Sequence, residues 1–104
     1  MPIEIDFASL PAGARRLVEA GDLEIAVFNV DGRIYALGNR CPHRGGPLIR
    51  GTLQETEAGP VVRCPMHGWS FSLATGESAR PGRATVYAVC VEGDVVSIDV
   101  EAEA

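Results

Sequence analysis

The amino-acid sequence predicts an all-β fold, an antiparallel β-sandwich or partly open barrel with an inserted two-loop unit. Three observations predict this fold class. Short alternating or β-branched runs follow one another along the chain, and turns rich in Gly, Asp and Pro separate them. The only helix-like window, GARRLVEAG, has seven residues between its glycines, which is too short for an independent helix. With 104 residues, 46% of them hydrophobic, the chain is expected to form one domain over residues 1–104 without help from disulfides.

Four strands are predicted in the first part of the chain. The alternating run IEIDF is followed by LPAG, which predicts a turn. ARRLVEA and LEIAVFNV, separated by Gly21 and Asp22, predict the next two strands. Asp31 and Gly32 between AVFNV and RIYAL predict a two-residue hairpin, because glycine tolerates the positive φ of a type I′ turn.

Further strands are predicted after position 60, which brings the total to between seven and nine. VVRC and WSFSL predict short strands, and ATG after them predicts a turn. TVYAVCV and VVSIDV flank EGD and predict a hairpin. Their alternation places Val86, Ala88 and Cys90 on one face of a strand. Cys90 lies inside an apolar run, so we expect it to be a buried free thiol.

Cysteine usage and hydropathy indicate in which compartment of the cell the protein is expected. Three cysteines cannot all pair, which is typical of a reducing compartment rather than of a secreted disulfide scaffold. The first residues lack a basic region followed by an apolar run, so no signal peptide is predicted. No window approaches 18 consecutive apolar residues, so no membrane partner is predicted either. A cytoplasmic location is therefore expected.

Charge is unevenly distributed along the chain. The net charge of −5 argues against nucleic acid as a partner. Residues 33–83 hold seven of the nine arginines and three of the fourteen acids, so this segment has a charge of +4 and the rest of the chain −9. The sequence thus predicts either an ordinary solvated surface or a charge-polarised molecule with one basic end.

The chemistry of the chain is concentrated in two segments, CPHRGGPL and CPMHGWSF, which contain both histidines and two of the three cysteines. Cys41 and His43 are separated by one residue, and Cys64 and His67 follow with two residues between them. Thiolate and imidazole together are typical metal ligands, whereas a duplicated Cys/His pair has no purpose in acyl transfer. Two metal sites use these four ligands: tetrahedral zinc, for which C-x-H is a poor spacing, and a [2Fe–2S] cluster with two Cys and two His.

At this point the residues show a resemblance to a known family. C-x-H followed by C-x-x-H, with the Gly and Pro flanks quoted above, resembles the Rieske iron–sulfur signature. FNVDGRIYALGN before it and VYAVCVEGDVVSIDV near the C-terminus extend the resemblance to soluble Rieske-type ferredoxins over nearly the whole chain. The gap of twenty residues between the pairs is a few longer than usual, and we place the extra residues in a hairpin tip within LQETEAGPV.

The resemblance implies the ligands and their grouping. Cys41 and Cys64 would bind the inner iron of the cluster, and His43 and His67 the outer iron. The cluster-binding loops would span about residues 38–83, including a shielding third loop at RPGR, residues 80–83. Trp69 and Phe71 are expected to belong to the core rather than to an electron path. No catalytic residue is predicted.

The function implied by the resemblance is one-electron transfer. The chain is too short for a terminal oxygenase and has no dinucleotide-binding motif. The expected donor is a flavin-dependent ferredoxin reductase, and the expected acceptor is a Rieske-type non-haem iron oxygenase. We expect a monomer that docks transiently through a basic rim containing Arg40, Arg44 and Arg80. The alternatives are the small subunit of an assimilatory nitrite reductase and, in a different class, a zinc-stabilised interaction module.

The resemblance also indicates a reduction potential. High-potential membrane relatives carry two loop cysteines at the positions of Gly46 and Met66, and a serine at the position of Trp69, which donates a hydrogen bond to a cluster sulfide. All three residues are absent here. With fewer donors to stabilise added negative charge, we expect a potential of about −150 mV, the low end of the Rieske range.

Overall fold

The computed structural model of the chain describes residues 3–39, 47–57, 59–65, 69–78 and 84–103. Two short 3₁₀ helices, Phe7–Ser9 and Leu48–Arg50, are the helical elements in these ranges. The same ranges contain nine strands, in agreement with the predicted all-β class: β1 Ile3–Asp6, β2 Arg15–Ala20, β3 Leu23–Val30, β4 Arg33–Gly38, β5 Thr52–Thr56, β6 Gly59–Arg63, β7 Ser70–Ser72, β8 Val86–Glu92 and β9 Val95–Glu103.

The strands form two antiparallel sheets. The larger sheet has six strands in the order β1-β9-β8-β4-β3-β2, and the smaller has three in the order β5-β6-β7. The larger sheet curls into a nearly closed barrel. Ile5 in one edge strand and Val18 in the opposite edge strand belong to the same buried cluster, which requires the two edges to approach each other.

The predicted hairpin turns are confirmed. Val30 pairs with Arg33, and the two residues between them have positive φ, 53° at Asp31 and 93° at Gly32, as a type I′ turn requires. Glu92 pairs with Val95 around a turn that begins with Gly93, where φ is 58°. The expected hairpin within LQETEAGPV is also present, because β5 and β6 pair from Thr52 with Arg63 to Thr56 with Gly59.

Two apolar clusters pack against opposite faces of the larger sheet. Strand β3 shows why, since its residues alternate between the clusters: Ile25 and Val27 lie in the barrel interior, and Ala26 and Phe28 face the smaller sheet. Both faces of β3 are therefore buried, so this strand is a near-continuous apolar run. The barrel-interior cluster comprises Ile5, Leu10, Val18, Ile25, Val27, Ala36, Tyr87, Val96 and Ile98. The inter-sheet cluster comprises Ala26, Phe28, Leu37, Leu48, Val62, Cys64, Phe71, Leu73, Ala84 and Val86.

The prediction that Cys90 is buried is wrong. The structure places this free thiol on the surface, with its Sγ 3.8 Å from a carboxylate oxygen of Glu92. The reason lies in how β8 pairs. Within the described residues, β4 lies beside β8 only at Val86 and Tyr87, whereas β9 continues alongside to Glu92. Burial therefore falls along β8, and the apolar run continues beyond the part of the strand that the core covers.

Helices of membrane-spanning length are absent from the described ranges: none there is long and apolar enough to cross a bilayer.

Candidate metal centre

One of the four predicted metal ligands, Cys64, lies within the described residues. Cys41, His43 and His67 lie outside them, as do Arg40, Arg44 and Arg80 of the predicted docking rim. The four-ligand set therefore remains a prediction. What the structure does describe is how the chain is held on either side of each predicted ligand segment.

Cys64 directly follows β6, and its thiol is free and only 2% exposed. It belongs to the inter-sheet cluster together with Leu48, Val62 and Phe71. Its backbone N–H donates to the carbonyl of Trp69 at 2.6 Å, one position beyond the Arg63–Ser70 pair that joins β6 to β7. A backbone hydrogen bond thus joins the two ends of the second predicted ligand segment, and the end that contains Cys64 is buried.

The first predicted ligand segment is closed by Asn39, the residue after β4. The carbonyl of Asn39 accepts from the N–H of Leu48 at 2.6 Å, and its side-chain Oδ1 accepts from the N–H of Ile49 at 2.7 Å. Asn39 is 3% exposed. The two ends of the first segment therefore lie next to each other, and the backbone and side chain of Asn39 both hold the chain at Leu48 and Ile49.

The ends of the two segments lie against each other. A methyl group at Gly51 would overlap the carbonyl oxygen of Arg63 and lie 2.7 Å from Val62 Cγ2. Only glycine allows the chain leaving the first segment to run this close to β6, which leads into the second. Arg15 in β2 holds the same turn from the larger sheet, because its Nη1 donates to the carbonyls of Ile49 and Gly51 at 3.0 and 2.6 Å.

The predicted third loop at residues 80–83 lies outside the described residues, but its flanks are held to the same region. The N–H of Ala84 donates to the carbonyl of Gly76 at 2.9 Å, and the N–H of Gly38 donates to that of Thr85 at 2.8 Å. Gly76 has a φ of +77°, and a methyl group there would overlap the Ala84 carbonyl. The chain after residue 83 thus lies beside the end of β4, where the first segment begins.

The aromatic residues after His67 pack as predicted for core residues. Phe71 is fully buried in the inter-sheet cluster, and Trp69 packs against that cluster while remaining partly exposed. Their ring centroids are 6.4 Å apart at an interplanar angle of 37°. This contact anchors the strand that leaves the second segment.

Four residues that hold the segments were not identified from the sequence: Arg15, Asn39, Gly51 and Gly76. Asn39 carries no local signal for this role, because its side chain accepts from the N–H of Ile49, ten positions along the chain. Arg15 carries no such signal, since its acceptors are backbone carbonyls more than thirty positions away. The two glycines are required by close approaches that arise only in the folded chain.

Cys64 fits a metal ligand on chemical grounds. It is a buried cysteine outside any disulfide, its backbone N–H donates to the carbonyl of Trp69, and the sequence has a histidine three positions after it. The remaining predicted donors, one more thiolate and one more imidazole, complete the Cys₂His₂ set that a Rieske-type cluster requires.

Comparisons with known proteins show which domain family this chain resembles. The profile of the Rieske [2Fe-2S] domain matches residues 4–95. The ferredoxin subunit of 3-phenylpropionate/cinnamic acid dioxygenase from Escherichia coli strain K12 is 34% identical over 96 residues, which cover 89% of this chain and 87% of that protein. Apoptosis-inducing factor 3 from Mus musculus is 40% identical over 68 residues, or 65% of this chain, and the match spans only 11% of its length.

Solved structures show the same fold. A complex of reduced oxygenase and oxidised ferredoxin in carbazole 1,9a-dioxygenase contains a chain with a TM-score of 0.78 and 29% identity, covering 92% of each chain. A putative NADH-dependent nitrite reductase small subunit from Mycobacterium tuberculosis has a TM-score of 0.82 and 22% identity, covering 94% of this chain and 95% of that one. At 22% identity the second match shows a shared fold.

Proposed function

Since the chain belongs to the family of Rieske [2Fe-2S] domains, we propose that it passes single electrons from a flavin-dependent ferredoxin reductase to a Rieske non-haem iron oxygenase. The family identifies the chain as a Rieske ferredoxin-type electron carrier with a [2Fe–2S] cluster. The observation that carries the choice of partner is the 34% identity, over nearly the full length of both chains, to a dioxygenase ferredoxin subunit.

In this proposal Cys41, His43, Cys64 and His67 hold the cluster, which supplies a one-electron redox couple when bound. On the Cys64 side the protein contributes an apolar, fixed setting for it. The Cys64 side chain enters the site from the apolar inter-sheet cluster, which keeps water from that side of the thiolate. The hydrogen bonds at the base of each segment limit reorganisation when the charge of the site changes, and such surroundings tune a metal site.

A second acceptor is supported by the structural comparison. The nitrite reductase small subunit shares the fold and covers nearly the whole chain, so a role beside a nitrite reductase is the alternative. Its 22% identity is lower than the 34% shared with the dioxygenase ferredoxin. The presence of all four predicted ligands also favours a redox-active carrier, because many such small subunits have lost ligands.

The proposed function is tested by electron delivery. The purified protein is expected to be red-brown, to bleach on reduction and to give an EPR signal only in the reduced state. The reduced protein is then mixed with the oxygenase component of a ring-hydroxylating dioxygenase or with the large subunit of a nitrite reductase, and its reoxidation is followed by absorbance. Faster reoxidation by the oxygenase supports the proposal, and faster reoxidation by the nitrite reductase supports the alternative. A colourless protein that binds zinc contradicts both.

The low potential expected from Gly46, Met66 and Trp69 extends the proposal. Protein-film voltammetry is expected to give a value of about −150 mV. A Trp69→Ser variant restores one hydroxyl donor at the position where high-potential relatives have one, so its potential is expected to rise. A wild-type potential well above zero contradicts the proposed low-potential carrier.

Docking through the basic rim is a separate prediction. Neutralising Arg44 in an Arg44→Gln variant is expected to slow electron delivery at low ionic strength and to leave the potential unchanged, because exposed charges steer transient partners and salt screens them. Stopped-flow rates measured over a range of salt concentrations test this. Arg33→Gln, at the opposite end of β4 from the ligand segment, serves as the control. Equal rates for wild type and Arg44→Gln contradict the docking role.

A further inference from the structure

We propose that Asn39 is a positioning residue for the cluster: it fixes both ends of the first predicted ligand segment to each other and to strand β3, and thereby sets the environment of the bound cluster. This inference rests on the proposed function, because it concerns the same site. It assigns a role to a residue that provides no metal ligand.

The hydrogen bonds of Asn39 divide into two pairs. Both of its donors point to one residue of β3: the backbone N–H to the carbonyl of Glu24 at 2.8 Å, and Nδ2 to the Glu24 carboxylate at 3.3 Å. Both of its acceptors hold the chain after the segment, where the N–H groups of Leu48 and Ile49 donate to its carbonyl and its Oδ1. Asn39 is therefore a cross-link between the larger sheet and the 3₁₀ helix Leu48–Arg50.

The side-chain chemistry of this position is restrictive. A short side chain that offers one acceptor and one donor, as an amide does, can satisfy Ile49 and Glu24 at once. An apolar side chain of similar size would leave the Ile49 N–H without its partner in a part-buried place.

The cross-link made by Asn39 lies close to predicted ligands of both segments. Asn39 lies two positions before Cys41, and Leu48, which it holds, packs in the inter-sheet cluster with Cys64. The bond to Leu48 is made by the Asn39 backbone, and the side chain adds the bond from Ile49, so loss of the side chain would loosen the end of the first ligand segment beside the cluster that contains Cys64. Residues that orient metal ligands without binding the metal typically change metal affinity by about 10- to 100-fold when replaced.

A matched control residue exists in the same strand pair. Asn29 in β3 is 1% exposed, donates through Nδ2 to the carbonyl of Leu10 at 2.7 Å and accepts from the N–H of Gly32 at 2.8 Å. It lies five positions along β3 from Glu24, which is about 17 Å in an extended strand. Asn29 thus has the same chemistry and burial as Asn39 but lies at the opposite end of β3 and β4.

The experiment compares cluster-loaded wild type with Asn39→Leu and Asn29→Leu. Iron release to a chelator is followed by absorbance, and the visible circular dichroism of the bound cluster and the reduction potential are recorded on fully folded samples. Asn39→Leu is expected to release iron at least about tenfold faster than Asn29→Leu, with an altered visible spectrum and potential. Asn29→Leu is expected to lower thermal stability while retaining the wild-type spectrum and potential. Equal release rates and unchanged cluster spectra in the two variants overturn the inference.

An exchange variant keeps the inference testable if Asn39→Leu does not fold. Asn39→Asp preserves the acceptor for Ile49 but places two carboxylates together, whereas Asn39→Asp with Glu24→Gln restores a donor–acceptor pair with the original net charge. The double variant is expected to release iron more slowly than Asn39→Asp alone and to have a spectrum closer to wild type. A double variant no better than the single one overturns the inference. A wild-type protein that holds no iron contradicts the proposed function instead, so the two failures are distinguishable.

Discussion

The two sheets of this protein are stabilised in different ways. The larger sheet has both faces covered by apolar clusters, and its strand β3 is buried at five of its eight residues. The smaller sheet buries one face only: four of the five residues of β5 are exposed, and β6 has one buried residue, Val62. Hydrophobic burial can hold the larger sheet alone, whereas the smaller sheet needs additional anchors.

Those anchors are polar and steric. The Arg15 side chain, the Asn39 side chain and the close backbone approach at Gly76 join the smaller sheet and its flanking turns to the larger sheet, and the close approach at Gly51 holds the turn before β5 against β6. The described residues that flank the predicted ligand segments lie at these same points. A general apolar core thus supports the molecule, while a few specific contacts set the position of the candidate site.

The largest difference is expected between the two described cysteines. Cys64→Ser replaces a buried thiol at the predicted site and is expected to abolish binding of the cluster, measured as iron content and visible absorbance. Far-ultraviolet circular dichroism is expected to show that the barrel remains, because its interior cluster does not include this residue. Cys90→Ser changes an exposed thiol and is expected to retain wild-type iron content. Full iron content in Cys64→Ser contradicts the ligand assignment.

The next largest effect is expected from a pair of glycines with similar backbone conformation. Gly76 and Gly13 have φ of +77° and +86°, so alanine at either position costs about 1–2 kcal/mol in backbone strain. A methyl group at Gly13 meets nothing within 4 Å, whereas at Gly76 it overlaps the carbonyl of Ala84. Gly76→Ala is therefore expected to lower stability by about 2–5 kcal/mol in total. Urea unfolding monitored by circular dichroism measures both, and equal losses contradict a steric role for Gly76.

The difference between local turns and contacts made only after folding explains which features the sequence could predict. The hairpins at Asp31 and at Gly93 were predictable because a two-residue turn encodes its own geometry. Cys90 was misplaced because strand alternation is local, whereas burial depends on where β4 ends beside β8. The four-ligand pattern was recognisable because metal chemistry restricts residue type and spacing. The anchors were not, because their partners belong to other segments of the chain and become neighbours only after folding.

The smallest effect is expected from two adjacent arginines in β2, and it tests whether the two sheets are coupled. Arg15 donates to the carbonyls of Ile49 and Gly51, and its guanidinium lies 5.4 Å from the centroid of the Phe28 ring. The contact of Arg16 is a long one, 3.4 Å from its Nη1 to the Ser9 hydroxyl. Arg15→Gln is expected to lower the stability by about 1–2 kcal/mol, because charge-assisted bonds to backbone carbonyls are lost.

Arg16→Gln is expected to stay within about 0.5 kcal/mol of wild type. The informative measurement follows cluster absorbance and far-ultraviolet circular dichroism in the same urea titration. In Arg15→Gln the absorbance is expected to disappear at lower urea than in wild type, ahead of the barrel signal, because the turn after the first ligand segment loses its tie to β2. If both signals shift together, Arg15 stabilises the whole molecule rather than the junction. The two sheets then behave as a single cooperative unit despite their different burial.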